Sequence, residues 1–75
     1  MHISSMLLIG KNLRTLRKAN KRSIFDVANE LQMSAHYLGN IERGKANPSV
    51  KILDRLAAYY GVATRSLFDE QPDPS

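Results

Sequence analysis

The residues able to do covalent chemistry are few and unaccompanied. Ser23, Ser34 and Ser49 each precede an apolar stretch, and no His/Asp arrangement stands beside any of them to act as base and orienting group. The chain has no cysteine, which removes thiolate nucleophiles, disulfides and cysteine-rich zinc sites. His2 and His36 lack a cluster of further ligands, so no metal is expected. Without paired carboxylates either, the sequence does not read as an enzyme and calls for no cofactor. What remains is a short polar face at helical spacing: Ala35, His36, Tyr37, Gly39 and Asn40. His36, Tyr37 and Asn40 can hydrogen-bond base edges, and an Asn amide matches the adenine edge. The small Ala35 and Gly39 would let a helix backbone approach DNA closely.

Such a face needs a helix to carry it and others to hold that helix. Ile9, Leu13 and Leu16 recur at i, i+4 and i+7, which predicts a first helix over about Ile9 to Ala19, with Lys11, Arg14 and Lys18 opposite the stripe. Asn20-Lys21-Arg22 reads as a turn. Ser23 is placed to cap a second helix, about Ile24 to Leu31, with Asp26 as capping-box partner. After Gln32-Met33, Ser34 caps a third helix, about Ala35 to Arg43, with Leu38 and Ile41 inward and Gly44 as stop. Ser49 caps a fourth, about Val50 to Tyr60, ended by Gly61. Val62, Leu67 and Phe68 suggest a short fifth. The expected fold is all-α, a five-helix bundle: an N-terminal extension over 1–8, a domain over 9–69 and a disordered tail over 70–75. The short break between the second and third helices makes them cross steeply, the geometry that lets the second of a pair enter a major groove.

Charge agrees with that reading. The net charge is +4, but residues 1–68 hold all 11 bases and only four of the seven acids. Lys11, Arg14, Arg17, Lys18, Lys21 and Arg22 follow one another without an intervening acid. A compact body so charged attracts polyanions in a salt-dependent way. Met6-Leu7-Leu8-Ile9 is too short for a membrane span or a signal-peptide core, so the expected location is the cytoplasm.

Three segments, Ser23-Ile24-Phe25-Asp26-Val27-Ala28, Met33 through Gly44, and Asn47-Pro48-Ser49, resemble the phage-repressor (Cro/CI, or XRE) helix-turn-helix family. The Tyr-Leu-x-x-Ile-Glu-Arg-Gly element with a following Pro-Ser carries most of the specificity, and the flavour is that of SinR-type repressor DNA-binding domains. The resemblance covers about residues 9 to 69 and implies a lambda-repressor-like domain. It implies base contacts from Ala35, His36 and Asn40. It implies sugar-phosphate contacts from Ser23, Ile24, Ser34, Tyr37, Arg43, Gly44 and Lys45, and a structural ion pair between Arg17 and Glu42. The chain departs from the family at four positions. Ile24 stands where many members have Gln, Gln32 where the turn has Gly, Arg22 where an apolar residue is common, and Ala63 where a capping Ser is common. Gln32 would either take a left-handed conformation under some strain or shift the turn.

The reading that follows is a sequence-specific regulator, a repressor, bound to double-stranded DNA as a homodimer. One short helix reads few base pairs, and two-fold pairing doubles the readout. Met1 to Leu8, or the region of Leu67 and Phe68, is the expected dimer contact. The competing reading is an antitoxin-like interaction protein that also binds a partner protein, favoured by the acidic tail and the apolar N-terminus.

Overall fold

The computed structural model describes residues 4–70. His2, the other extreme N-terminal residues and, of the expected tail over 70–75, residues 71–75 lie outside the described residues. Among those described, the chain forms four α-helices, α1 (Ser5–Ala19), α2 (Ile24–Glu30), α3 (Ala35–Glu42) and α4 (Val50–Tyr60), then a 3-10 helix, Thr64–Phe68, and no strand.

Each α-helix begins at a serine. The hydroxyls of Ser4, Ser23, Ser34 and Ser49 accept from the backbone N–H three residues on, at 3.2, 3.0, 2.9 and 3.2 Å. At Ser23 the capping box closes, because the Ser23 N–H donates back to Asp26 Oδ2 at 3.2 Å. Ser23 holds the Asp26 carboxyl below its ordinary range, its backbone N–H contributing most and its side chain next. Helix α1 starts four residues before the expected Ile9, since Ser4 supplies a cap that the apolar stripe alone did not reveal. Helices α2 and α3 each stop one residue short of expectation, at the capping residues Leu31 and Arg43.

All-α holds, but the fifth helix does not. Thr64–Phe68 is a 3-10 helix of five residues, its N-cap Ala63 offers no side-chain acceptor, and Asp69 returns to extended backbone. Short, weakly bonded turns are what a 3-10 helix sustains, and Ala63 stands where a capping Ser would have been.

One core joins the elements. Ile9 and Leu13 of α1, Val27 and Ala28 of α2, Leu38 and Ile41 of α3, Leu53, Leu56 and Ala57 of α4, and Leu67 are all buried. Leu67 is fully enclosed, so it cannot form the expected dimer contact, whereas Phe68 is 46% exposed. Helix α1 packs on α3 and on the 3-10 helix, α2 packs on α3, and α4 packs on the 3-10 helix. The buried Asn12 locks one of these joints: its Nδ2 donates to the carbonyls of Leu67 and Asp69, both at 2.8 Å. The amide thereby ties the C-terminal end of the 3-10 helix to α1.

Of the two alternatives for Gln32, the structure takes the first: its φ is +55°, in the left-handed region, as is that of Lys21. For a residue with a Cβ that conformation costs about 1 kcal/mol, which glycine avoids. Gln32→Gly is therefore expected to raise stability by up to about 1 kcal/mol, a rise of a few degrees in Tm for a domain this size. Thermal denaturation followed by circular dichroism checks it, and an unchanged or lower Tm would contradict it.

Candidate nucleic-acid interface

Helix α3 is amphipathic over only eight residues, and its two faces are sharply divided. Leu38 and Ile41 are each 1% exposed, whereas His36 and Arg43 are exposed. Ala35, Tyr37 and Asn40 are half-buried, and Ala35 and Tyr37 pack against the core edge. Gly39 is buried, not outward as the sequence suggested. A Cβ built on it would lie 3.0 Å from Arg43 Nη1 and 3.4 Å from Ile24 Cδ1. Its missing side chain makes room for Arg43 and for the start of α2, not for DNA.

The polar side chains of α3 form a chain along the helix. Arg43 Nη2 donates to Asn40 Oδ1 at 2.7 Å, and Asn40 Nδ2 lies 3.2 Å from His36 Nε2. Beyond the helix, Gly44 has φ +73°. The Lys45 N–H donates to the Asn40 carbonyl at 2.8 Å, and the exposed Lys45 side chain follows directly after the Arg43 end of the row. Beside Gly39 and Arg43, a cleft of about 320 Å³ opens toward the start of α2, lined also by Arg14, Ser23, Ile24 and Phe25 among others. Phe25 is 72% exposed there, a residue that sequence reasoning passed over because it lies off the core stripe of α2. Ser23 and Ser34 are exposed caps, and Ile24 packs partly on the core.

Arg17 and Glu42 hold this face on α1. Arg17 Nε donates to Glu42 Oε2 at 2.8 Å and its Nη2 to Oε1 at 3.0 Å, a bidentate pair, while Nη1 donates to the Arg22 carbonyl at 3.0 Å. The side chains are 14% and 5% exposed. The hydrogen bond to Glu42 holds the Arg17 guanidinium above its ordinary pKa despite burial. Gly10, also on α1, was missed in the sequence, yet a Cβ there would lie 2.5 Å from the carbonyl oxygens of both Ile41 and Glu42. The backbones of α1 and α3 meet at this point. The signal was an isolated glycine inside a helical pattern, which usually marks such an approach.

Tyr60, half-buried near the ion pair, has its phenol oxygen enclosed without a hydrogen-bond partner among the described residues. Burial first, and Glu42 second, push its pKa up to about 12. The unfolded chain keeps the ordinary value of 10.0. The folded state thus holds this proton more tightly, and the stability so contributed is complete below about pH 10 and lost as pH rises toward 12. Tyr60→Phe is expected to leave stability at pH 7 unchanged or slightly higher, since an unpaired buried hydroxyl is a cost, and to flatten the decline between pH 10 and 12. Urea titrations across that range would show an equally steep decline in both proteins if the idea is wrong.

Among the described residues there is no cluster of three or more side chains able to hold a metal ion, and no helix is long and apolar enough to cross a membrane. Two short capped helices joined by a tight turn, with the second presenting a polar outer face, define the helix-turn-helix class of domain. The family model described as "Helix-turn-helix domain" matches residues 8–71, and the chain belongs to that family. Among curated proteins it is 37% identical over 59 residues to the HTH-type transcriptional regulator DdrOP3 of Deinococcus deserti, covering 79% of this chain and 46% of that protein. It is 31% identical to the HTH-type transcriptional regulator SinR of Bacillus subtilis (85% of this chain, 59% of that one), in keeping with the SinR-type flavour of the motifs. It is 28% identical to the immunity repressor protein of Bacillus phage phi105 (87% and 45%). The chain spans about half the length of these curated relatives. Among solved structures, the S. venezulae BldD DNA-binding domain superposes with a TM-score of 0.77 at 30% identity, covering 87% of this chain and 97% of that one.

Proposed function

We propose that this chain is the DNA-binding module of a bacterial or phage-type transcriptional repressor that works in the cytoplasm and reads its operator with α3. The observation that carries the reading is the division of α3, with Leu38 and Ile41 sunk in the core and the His36–Asn40–Arg43 row on the open side. In this reading Ala35, His36 and Asn40 meet base edges in the major groove. Ser23, Ile24, Ser34, Tyr37, Arg43, Gly44 and Lys45 follow the sugar-phosphate backbone, and Arg14 and Phe25 border the cleft that faces it. The likeness to the BldD DNA-binding domain and to regulators and a phage repressor supports the assignment. No observation favours the antitoxin-like alternative.

The module binds as a homodimer, which supplies the readout that one eight-residue helix lacks. With Leu67 committed to the core, the large exposed apolar residues available for pairing among the described residues, apart from Phe25 at the cleft, are Leu7, Val50 and Phe68. Selection of bound fragments from random duplex DNA tests the function. Enrichment of a two-fold symmetric site, with half-sites about one helical turn (10 bp) apart, is expected. Recovery of no preferred sequence would refute the reading.

A further inference from the structure

We infer that Arg43 is a positioning residue for base recognition: by donating to Asn40 it turns the Asn40 amide into the one orientation that offers an adenine both of its hydrogen bonds. This inference rests on the proposed function and goes beyond it by assigning Arg43 to base readout in addition to the phosphate backbone.

A guanidinium has five donors and no acceptor, so the group facing Arg43 Nη2 at 2.7 Å must be the amide oxygen of Asn40. The Asn40 NH2 then faces His36 Nε2 at 3.2 Å, which accepts from it in the tautomer that leaves Nε2 unprotonated. An Asn amide has two N–H donors and two oxygen lone pairs. Arg43 takes one lone pair and His36 takes one N–H. One of each remains, and one acceptor beside one donor is what the N6/N7 edge of adenine requires. Without its two neighbours the amide would be free to rotate, and ordering it on the DNA would cost affinity on the adenine-bearing site alone.

A second, independent feature holds Arg43 in place. Its guanidinium lies back over Gly39, where a Cβ would come within 3.0 Å of Nη1 and 3.3 Å of Nη2. Gly39 is thus the seat of Arg43. Alanine there would push the guanidinium outward by a few tenths of an ångström, away from its seat, while leaving its charge on the protein, and its remaining contact, 3.4 Å to Ile24 Cδ1, is ordinary packing.

That separation of charge from position makes the test. The wild type, Gly39→Ala, Arg43→Met, Arg43→Lys and Asn40→Ala are each used to select from random duplex DNA, and their affinities for the wild-type-enriched duplex are compared with those for the same duplex with single base changes and for a scrambled one. The wild type is expected to prefer adenine at one position per half-site by roughly 5- to 150-fold, and Asn40→Ala to lose that preference. Gly39→Ala should reduce the preference at that position by about 2- to 12-fold, the cost of ordering one side chain, with affinity for scrambled DNA kept. Arg43→Met should reduce both, and Arg43→Lys, whose ammonium can donate to the same oxygen, should restore most of the preference. If Gly39→Ala and Arg43→Met leave the preference intact while Asn40→Ala abolishes it, Arg43 is only a phosphate contact and the inference falls alone. If Asn40→Ala keeps the wild-type preference, the reading of α3 falls with it.

Discussion

Arg17→Ala should cost this domain a large share of its stability. The substitution leaves Glu42, only 5% exposed, without its bidentate partner and leaves the Arg22 carbonyl without its donor. Breaking a buried pair by removing one member costs up to about 3–5 kcal/mol in a dry site and less where solvent reaches the charge left behind, as it can through the cleft that this pair helps to line. A domain of 75 residues has a total stability of roughly 4–11 kcal/mol. Arg17→Ala is therefore expected to melt far below the wild type, with a broad or incomplete transition at room temperature. Replacing both partners, Arg17→Met with Glu42→Leu, should recover much of the loss, since apolar packing can substitute for a buried ion pair. Thermal and urea denaturation by circular dichroism measure both. An Arg17→Ala protein with an unchanged Tm would show that the pair contributes nothing.

Gly10→Ala tests a different kind of contact, and two simple arguments give it opposite signs. Alanine is the better helix former by about 1 kcal/mol, so propensity alone predicts a gain in the middle of α1. Packing predicts a loss, because the new Cβ would stand 2.5 Å from two backbone carbonyl oxygens of α3 and 2.8 Å from the Glu42 carbonyl carbon. No rotamer change relieves a clash with backbone, so α1 and α3 must separate, at a cost of about 1–3 kcal/mol or more. Packing should win. The displaced end of α3 carries Glu42 and the row above it, so specific DNA affinity should fall further than stability does. Gly61 is the control: nothing lies within 4 Å of a Cβ there, and its φ of +72° is the sole penalty. A Gly10→Ala protein as stable as the wild type, or more so, would mean that the helices do not approach as closely as described.

These two residues mark where the sequence was informative and where it was not. Arg17 and Glu42 were paired through the motif they belong to; nothing in their spacing along the chain brings them together. The serine caps and apolar stripes made α2, α3 and α4 legible to within a residue, because capping and burial are local and periodic. Ser4 was overlooked as a cap because the residues after it, Met6 to Ile9, looked like an apolar lead and not a helical face. The 3-10 helix was overestimated because the apolar residues Val62, Leu67 and Phe68 follow soon after Gly61, while the weakness at Ala63 lies in a side-chain hydrogen bond that is absent. Gly10, Asn12 and the seat of Arg43 on Gly39 depend on how close two backbones come or where a long side chain folds back. These are tertiary facts, and a composition or a period does not encode them. Gly39 was read as a surface open to DNA for that reason.

The central claim, that α3 reads bases while its flank holds phosphates, is tested most directly by comparing Asn40→Ala with Lys45→Ala on the selected duplex and on a scrambled one at several salt concentrations. Asn40→Ala should lose about 1–3 kcal/mol on the selected site and little on scrambled DNA. Lys45→Ala should weaken both duplexes about equally and lower the salt dependence by roughly one counterion. If Asn40→Ala weakens both duplexes equally, residues 35–40 are not the reading face, and the account of this helix as the recognition element is contradicted.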